Sequence, residues 1–341
     1  MGIKNRKKDH VQLTITESTQ YQKTSGFERF DFVHNALPEV NLQEVSAETP
    51  LLGRLFSLPL FISSMTGGYS ESGPVNAIIA EFCEEVNLPF GVGSQRAMLE
   101  HDDVIPTFSV VREKAPTAFI CSNIGGVQLV EGWKPDYQRR MLDAIRADAL
   151  IVHLNPLQEL MQPEGDQNFK GVLFGIEQLV SSIHIPVIVK ETGAGITESV
   201  ARRLLNAGVS AIDVAGAGGT SWAMVENQRK SNQDPYYAFD NWGIPTAECI
   251  TQLAELEWEQ SFEIIGSGGI RTSFDMTKAL CLGAHFTATA QPIIKAIHND
   301  GLEGLMAMYS RWEQELRMIL CLLGCTSPTE LNRSHLYEIF I

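Results

Sequence analysis

Residues 149–155 (ALIVHLN), 186–192 (PVIVKET) and 211–216 (AIDVAG) are the runs of sequence that decide the fold. Each run is short and rich in Val, Ile, Leu or Ala, which is typical of a strand buried on both faces of a parallel sheet. Together with five further apolar runs, they predict eight strands. The five further runs are residues 58–65, 89–93, 117–122, 263–268 and 285–290.

Helix-like stretches separate most of these runs. Residues 75–86 and 136–146 carry apolar side chains at helical spacing. Thr197 is a predicted N-cap for a helix over 198–207, and a further helix is predicted over 272–282. Because strand and helix alternate about eight times, the sequence predicts an α/β fold, a (β/α)8 TIM barrel with an N-terminal extension. A doubly wound open sheet is the competing topology.

The chain divides into two predicted parts. Residues 1–57 are mixed and polar, and we expect them to form an N-terminal arm that contributes to the substrate site. Residues 58–341 form the predicted barrel with C-terminal helices. The connection over 217–243 is much longer than the usual loop of about 2–6 residues between a strand and a helix, so we expect it to be functional.

Composition excludes several classes of protein. The 341 residues contain 26 Lys and Arg against 41 Asp and Glu, a net charge of −15, which argues against a general nucleic-acid binder. No run of about 18 apolar residues predicts a membrane span, and the basic start lacks the apolar run of a signal peptide. The six cysteines form no CxxC pair and are expected to be reduced thiols. The sequence therefore predicts a cytoplasmic protein.

Glycines follow the late strands of the predicted barrel. In such barrels the reacting side chains lie at the carboxyl ends of the strands. The pairs Gly218-Gly219 and Gly268-Gly269 follow the sixth and seventh strands, where backbone N–H groups can approach an anion closely. Two such pairs on adjacent strands, with Thr220 beside one of them, predict a bound phosphate.

Lys190 ends one of the apolar strands. An inward-facing ammonium group at this position is costly without an anionic partner. The partner is either a ligand that carries or develops negative charge, or a carboxylate of the protein, Glu191 or Asp213. The sequence leaves both interpretations open.

Two other charged features follow from the sequence. Glu159, just past the fourth strand, is either a ligand of Mg2+, with water and phosphate oxygens completing the octahedron, or a solvated side chain. Arg6, Lys7, Lys8 and His10 form a basic patch in an acidic chain. This patch is either a solvated tail or an arm that folds over a diphosphate, with Arg96 as a further cation.

Several motifs, taken together, resemble one known family. They are the N-terminal residues 6–10 (RKKDH) and, at the strand ends, residues 65–68 (MTGG), 93–96 (GSQR), 153–159 (HLNPLQE), 190–193 (KETG), 218–222 (GGTSW) and 267–271 (SGGIR). In order and spacing, from about residue 4 to the last strand, the chain resembles the type 2 isopentenyl-diphosphate Δ-isomerases. HLNPLQE and the SQR triplet are the most specific of these motifs.

The resemblance implies a barrel that carries FMN, used in its reduced form as an acid–base cofactor with Mg2+, and NADPH as the flavin reductant. It implies the interconversion of isopentenyl and dimethylallyl diphosphate by 1,3-proton transfer, in a homo-oligomer (a tetramer or octamer). The implied FMN ligands are Met65, Thr66, Gly67, Ser94, Asn123, Lys190, Thr220, Gly269, Arg271, Ala290 and Gln291. The implied substrate ligands are Arg6, Lys7, His10, Ser94, Gln95, Arg96 and Gln158. The implied catalytic residues are Gln158, His153, Asn155 and Lys190, and Glu159 is the implied ligand of Mg2+.

Two other functions compete with this one. The first is an FMN-dependent oxidoreductase of the 2-hydroxy-acid oxidase or IMP-dehydrogenase kind, which shares the barrel and the glycine-rich loops. The stretch 213–221 contains no cysteine, which disfavours the IMP-dehydrogenase kind because that chemistry needs a nucleophilic thiol in a late loop. The second is a sensor that binds flavin without turnover.

Overall fold

The computed structural model describes residues 9–10, 12–15, 19–130, 133–229 and 235–339. In chain order, its strands are β1 (Phe30–Phe32), β2 (Thr49–Leu51), β3 (Arg54–Phe56), β4 (Leu60–Ile62), β5 (Phe90–Gly91), β6 (Ile120–Gly125), β7 (Ala149–Leu154), β8 (Val187–Glu191), β9 (Ala211–Asp213), β10 (Glu263–Ser267), β11 (Phe286–Thr289) and β12 (Leu336–Glu338).

The α-helices of the described residues follow most of these strands. In chain order, they are α1 (Ser72–Val86), α2 (Arg96–Glu100), α3 (Pro106–Lys114), α4 (Pro135–Ile145), α5 (Pro156–Met161), α6 (Val172–Ser182), α7 (Glu198–Asn206), α8 (Trp222–Arg229), α9 (Thr246–Ala254), α10 (Ser273–Cys281) and α11 (Gln291–Leu323).

Strands β4 to β11 close into a barrel. Each strand pairs with its neighbours in sequence, and β11 pairs with β4 to close the ring. All of these pairs are parallel. Every apolar run singled out in the sequence overlaps one barrel strand, so the predicted (β/α)8 barrel is confirmed and the open-sheet alternative is wrong.

The register of β6 to β9 lines up four residues at the carboxyl ends of neighbouring strands. Gly125 lies opposite His153, His153 opposite Lys190, and Lys190 opposite Asp213. Because parallel strands present their carboxyl ends on the same rim, this register brings an imidazole, an ammonium group and a carboxylate to one level of the barrel mouth.

A hairpin made of β2 and β3 covers the other end of the barrel. Leu51 and Phe56 of this hairpin are fully buried and belong to the apolar cluster inside the barrel. The ring centroid of Phe56 lies 5.7 Å from that of Phe119 and 5.8 Å from that of Phe286, which stand at the beginnings of β6 and β11. The amino end is therefore packed with aromatic rings, which leaves the carboxyl end as the open one.

The N-terminal segment also contacts the barrel mouth. Gln20 forms a β-bridge with Thr220, and the backbone N–H of Tyr21 donates to the carbonyl oxygen of Gly219 at 3.0 Å. Strand β1 pairs with β12 in antiparallel fashion, so the two terminal segments lie side by side. The division of the chain after residue 57 stays a prediction.

Helix ends agree with the sequence in one case and differ in another. Thr272 caps α10: its hydroxyl accepts from the N–H of Asp275, whose carboxylate accepts from the N–H of Thr272 in return. Thr197 occupies the N-cap position of α7, but its side chain makes no capping hydrogen bond, because its Oγ1 lies 3.1 Å from the hydroxyl of Ser199 instead. The predicted N-cap position of Thr197 is therefore correct, but the capping hydrogen bond from a backbone N–H to its side chain is not formed.

The long connection after β9 carries secondary structure of its own, α8 and a 3-10 turn at Tyr237–Phe239. All six cysteines are free thiols, five of them buried. Among the described residues, no helix combines the length and the apolar character that crossing a bilayer requires.

Candidate functional site

Two adjoining cavities open at the carboxyl end of the barrel. The residues that line both cavities are His10, Ser64, Met65, Lys190, Thr192 and Trp222. These residues therefore form the boundary between two neighbouring compartments.

The first compartment, which we call the polar cavity, is lined by the strand ends of β4 to β7. It brings together Met65, Thr66, Gly67, Ser94, Arg96, Asn123, His153, Asn155, Gln158 and Glu159. The second, the glycine-rich cavity, lies beyond β8 to β11. It brings together Thr220, Gly269, Arg271, Ala290 and Gln291 with Met65 and Lys190. Arg6 and Lys7 lie outside the described residues.

His153 is held by its neighbour on β6. Its Nδ1 lies 2.7 Å from Oδ1 of Asn123. Because an amide oxygen only accepts, Nδ1 carries the hydrogen in this pairing. The register of β6 and β7 thus orients the imidazole ring within the polar cavity.

Asn155 joins the two polar side chains of α5. This residue occupies the N-cap position of the helix, which begins at Pro156. Its Nδ2 donates to Oε1 of Gln158 at 3.1 Å and to Oε1 of Glu159 at 3.0 Å. The other carboxylate oxygen of Glu159 accepts from the N–H of Asp166 at 2.9 Å. Glu159 is therefore fixed by donors that leave its negative charge uncompensated, as a cation ligand requires.

Glu226, on α8, is a site residue that the sequence analysis missed. It is fully buried and accepts from Nε2 of Gln158 at 3.3 Å, with Nε2 of His10 at 2.8 Å from the same oxygen. Burial raises the pKa of this carboxyl, but hydrogen bonds and charges from His10 and Arg229 outweigh it and leave the pKa below its ordinary value. One signal in the sequence could have found Glu226. It follows Trp222 by four residues, a spacing that puts both side chains on one face of a helix.

Lys190 has one of the carboxylate partners that the sequence offered, Asp213, and it also lines both cavities. Its side chain is 11% exposed and lines both cavities. The ammonium nitrogen lies 4.0 Å from Oδ2 of Asp213 and donates to the main-chain oxygen of Glu191 at 2.6 Å. The Glu191 carboxylate is occupied elsewhere, since it accepts three backbone N–H groups from residues 192–194. Lys190 is thus a buried cation with one carboxylate partner and a face toward the cavities.

The two glycine pairs pack directly against each other in the glycine-rich cavity. A Cβ on Gly219 would lie 2.8 Å from the backbone nitrogen of Gly269, and one on Gly269 would lie 2.7 Å from the oxygen of Gly218. Gly269 also has a left-handed backbone, with φ of +77°. Only glycine permits this approach, and it keeps main-chain groups of both loops at the cavity surface.

Arg271 and Gln291 tie the N-terminal segment to this rim. Arg271 donates to the carbonyl oxygen of Gly218 at 3.0 Å and to Oε1 of Gln20 at 2.5 Å. Gln291 donates to the carbonyl oxygen of Thr14 at 2.9 Å. Both side chains therefore line the cavity while they anchor the segment that precedes the barrel.

Gln95 is the one described candidate that does not line either cavity. Its side chain is fully buried, where Nε2 donates to the oxygen of Met141 at 3.1 Å and Oε1 accepts from the hydroxyl of Ser122 and the N–H of Asn123. Its carboxamide joins β6 to α4 within the protein. The predicted contact between Gln95 and substrate therefore has no basis in this arrangement.

Arg96 lies at the rim of the polar cavity. Its guanidinium contacts two carboxylates, Glu100 at 3.1 Å and Asp166 at 3.5 Å, and is 39% exposed. No group of three or more His, Cys, Asp or Glu side chains that could hold a metal occurs within the described ranges. A metal ion here would therefore take Glu159 as a protein ligand and the rest of its ligands from water or substrate.

The amino-acid sequence is similar to a known family and to known proteins. Residues 151–338 match the family described as FMN-dependent dehydrogenase. An isopentenyl-diphosphate delta-isomerase of Chlorobium limicola is 42% identical over 344 residues, which cover 97% of this chain and 95% of that protein. A protein of the same name from a Nostoc species is 41% identical over 96% of this chain and 93% of its own.

Solved structures with the same architecture are more distant in sequence. The flavin-binding domain of baker's yeast flavocytochrome b2 superposes with a TM-score of 0.72 at 19% identity, covering 94% of this chain and 79% of that one. A soluble mutant of (S)-mandelate dehydrogenase from Pseudomonas putida superposes with a TM-score of 0.67 at 15% identity, covering 98% of each chain. These likenesses show the barrel fold alone.

The contact between the glycine loops predicts a difference between two alanine substitutions. Gly53 has φ of +76°, almost that of Gly269, but a Cβ there meets nothing within 4 Å. Gly53→Ala should therefore cost only the backbone strain, about 1–2 kcal/mol of unfolding free energy. Gly269→Ala should cost about 1–3 kcal/mol more, because the two loops must separate. Urea denaturation of both variants measures the difference, and equal losses would show that the loops are not in contact.

Proposed function

Because the chain belongs to the isopentenyl-diphosphate delta-isomerases, within the FMN-dependent dehydrogenase family, and is an isomerase, we propose that it interconverts isopentenyl and dimethylallyl diphosphate. The reaction would be a 1,3-proton transfer with reduced FMN and Mg2+. The observation that carries the proposal is the pair of adjoining cavities, one lined by His153, Asn155, Gln158 and Glu159, the other by glycine loops, with Lys190 between them.

The glycine-rich cavity fits FMN. Ser64, on the boundary of the two cavities, has a buried hydroxyl with no hydrogen-bond partner among the described residues. The contact between Gly219 and Gly269 forms a cradle that any Cβ would fill, and Arg271 adds a cation beside it. The proposed FMN ligands extend from this cavity into the adjoining one. Thr220, Gly269, Arg271, Ala290 and Gln291 line the glycine-rich cavity, Met65 and Lys190 line both cavities, and Thr66, Gly67, Ser94 and Asn123 line the polar cavity.

When bound in its reduced form, FMN supplies an electron-rich ring and a nitrogen that can carry a proton. Lys190 holds a positive charge at the boundary of the two cavities, where it would stabilise negative charge on the reduced ring. Asp213 keeps that lysine in place. Burial raises the pKa of the Asp213 carboxyl, while the neighbouring Lys190 opposes this rise.

The polar cavity would hold the diphosphate. Glu159 is the proposed ligand of Mg2+, and Arg96 at the rim is a proposed phosphate contact. Arg6 and Lys7, which lie outside the described residues, would supply further cations from the N-terminal segment. Guanidinium groups suit this task because they can make two parallel hydrogen bonds to a phosphate.

The remaining polar side chains would position the five-carbon chain. His153 and Asn155 line the cavity wall, and Gln158 donates to the buried carboxylate of Glu226. An amide is a poor acid, so we assign Gln158 to orienting the substrate. Because the pKa of Glu226 is lowered, its charge persists at neutral pH and would favour positive charge that develops nearby on protonation of the alkene.

Three further assignments belong to the proposal. NADPH would be the reductant of the flavin, and a tetramer or octamer would be the assembly. The cytoplasm would be the compartment, in keeping with six free cysteines, since disulfides are rare in reducing compartments.

An anaerobic assay of the purified protein tests the function. Protein loaded with FMN and then reduced should convert isopentenyl diphosphate in the presence of Mg2+ and should leave a 2-hydroxy acid unchanged. Oxidation of the 2-hydroxy acid would instead identify an oxidoreductase. Binding of FMN with neither reaction would identify a flavin-binding protein without turnover.

Removal of the buried cation should weaken the flavin site. Lys190→Met keeps the length of the side chain but leaves Asp213 without its partner, so FMN affinity should fall about tenfold or more and turnover should be lost. The absorbance of FMN retained after ultrafiltration measures the affinity. Lys170→Met, at an exposed position, is the control. A Lys190→Met protein with normal retention and turnover would show that the lysine is structural only.

Neutralisation of the proposed metal ligand should change the Mg2+ requirement of the activity and leave FMN binding unchanged. Glu159→Gln is close in shape but lacks the charge that binds a hard cation, so the Mg2+ concentration for half-maximal activity should rise about tenfold or more. FMN retention should stay unchanged. Glu177→Gln on α6 controls for the loss of one surface charge. An unchanged response to Mg2+ would remove Glu159 from the metal site.

A further inference from the structure

Arg229, the last residue of α8, joins three parts of the chain beside the polar cavity. Its Nη1 lies 2.5 Å from Oε2 of Glu226, and its Nη2 lies 3.2 Å from Oε1 of Glu164, in the segment after α5. Its Nε lies 3.9 Å from Oδ2 of Asp9 in the N-terminal segment. The Arg229 side chain is only 8% exposed, so its charge depends on these carboxylates rather than on water.

The two oxygens of the Glu226 carboxylate face different neighbours. Oε2 accepts from Arg229, whereas Oε1 accepts from Gln158 and is paired with His10. Gln158 in turn lines the polar cavity. Arg229 therefore fixes the position of a carboxylate that holds a cavity side chain, although its own guanidinium is not part of the cavity lining.

The N-terminal segment is docked onto α8 through two consecutive residues. Asp9 faces Arg229, and His10 faces Glu226 and lies against the ring of Trp222, with ring centroids 5.1 Å apart. His10 and Trp222 both line the cavities. The docking of this segment and the geometry of the cavity wall are thus set by the same helix.

We propose that Arg229 is a positioning residue that couples the docking of the N-terminal segment at Asp9 to the placement of Glu226 behind Gln158. The inference rests on the proposed function, because it takes the polar cavity as the site of the diphosphate. Arg6 precedes Asp9 by three residues. The span of an extended chain therefore limits its Cα to about 11 Å from that of Asp9. Anchoring Asp9 thus restricts where the cations of this segment can act.

The contact between Asp9 and Arg229 is poised to tighten. Nε of Arg229 is buried and makes no hydrogen bond to any residue that the structure describes. Its distance of 3.9 Å to Asp9 is about 1 Å longer than a hydrogen bond between these groups. A small movement of the segment toward α8, as the diphosphate is bound, would complete this bond and give Nε a hydrogen-bond partner.

A double-mutant cycle tests the coupling. Asp9→Asn, Arg229→Gln and the double variant are compared by KM and kcat for isopentenyl diphosphate. Calorimetric binding of inorganic diphosphate with Mg2+ gives a second readout that does not depend on turnover. Asp136→Asn, which removes the carboxylate of an exposed ion pair with Arg139 on α4, is the matched control and should change neither quantity.

Asp9→Asn should raise KM and the Kd for diphosphate about three- to fivefold with kcat nearly unchanged, the loss expected for one partly exposed ion pair. Arg229→Gln should raise both and also lower kcat about tenfold or more, because Glu226 loses its partner. In the Arg229→Gln background, Asp9→Asn should have no further effect. Asp9→Glu, whose longer side chain can reach Nε, should keep KM at or below the wild-type value.

Equal effects of Asp9→Asn in both backgrounds, or no effect in either, would overturn the inference. If Arg229→Gln does not fold, as judged by its unfolding midpoint, the difference between Asp9→Asn, which should raise KM, and Asp9→Glu, which should not, decides the question. Equal effects of these two variants would overturn the inference. The two proposals fail separately. If the double-mutant cycle shows the expected coupling in diphosphate binding but the wild-type protein does not isomerise the substrate, only the proposed function is refuted.

Discussion

The barrel mouth depends on how the charge of Lys190 is balanced inside the protein. A buried ammonium group is unfavourable without partners, and here it has a carboxylate, Asp213, and a main-chain oxygen. Asp213 is itself held by the hydroxyl of Ser267 at 2.5 Å. The network thus joins the carboxyl ends of β8, β9 and β10, and it keeps one positive charge facing both cavities.

Charge is distributed unevenly around this lysine. The polar cavity carries the carboxylates of Glu159 and, one hydrogen bond behind the wall, Glu226. The glycine-rich cavity carries Arg271, and no carboxylate occurs among the described residues that line it. The glycine-rich cavity therefore favours an anionic ligand. In the polar cavity, a phosphate requires a cation beside it, because the carboxylates would otherwise repel it. This asymmetry is why we assign the metal to the polar cavity and the flavin phosphate to the glycine loops.

The sequence predicted the barrel because each strand is a short apolar run between helices. Most of the described residues that it singled out line the two cavities, since strand ends converge in a closed barrel. Gln95 failed for a local reason: Ser94 and Arg96 line the polar cavity, and the residue between them points the other way into the protein. Glu226 and Arg229 were not predicted because they lie on α8, inside the long connection after β9. Their contacts with the site are tertiary, and no local sequence pattern predicts them.

If the protein transfers a proton without net redox change, one reduced flavin serves many turnovers, and the ratio of product to flavin measures this. Protein with bound FMN is reduced once under anaerobic conditions, freed of excess reductant, and mixed with Mg2+ and a large excess of isopentenyl diphosphate. Dimethylallyl diphosphate should form in many-fold excess over flavin, with the flavin still reduced at the end. One product molecule per flavin, or a flavin oxidised by the substrate, would contradict it.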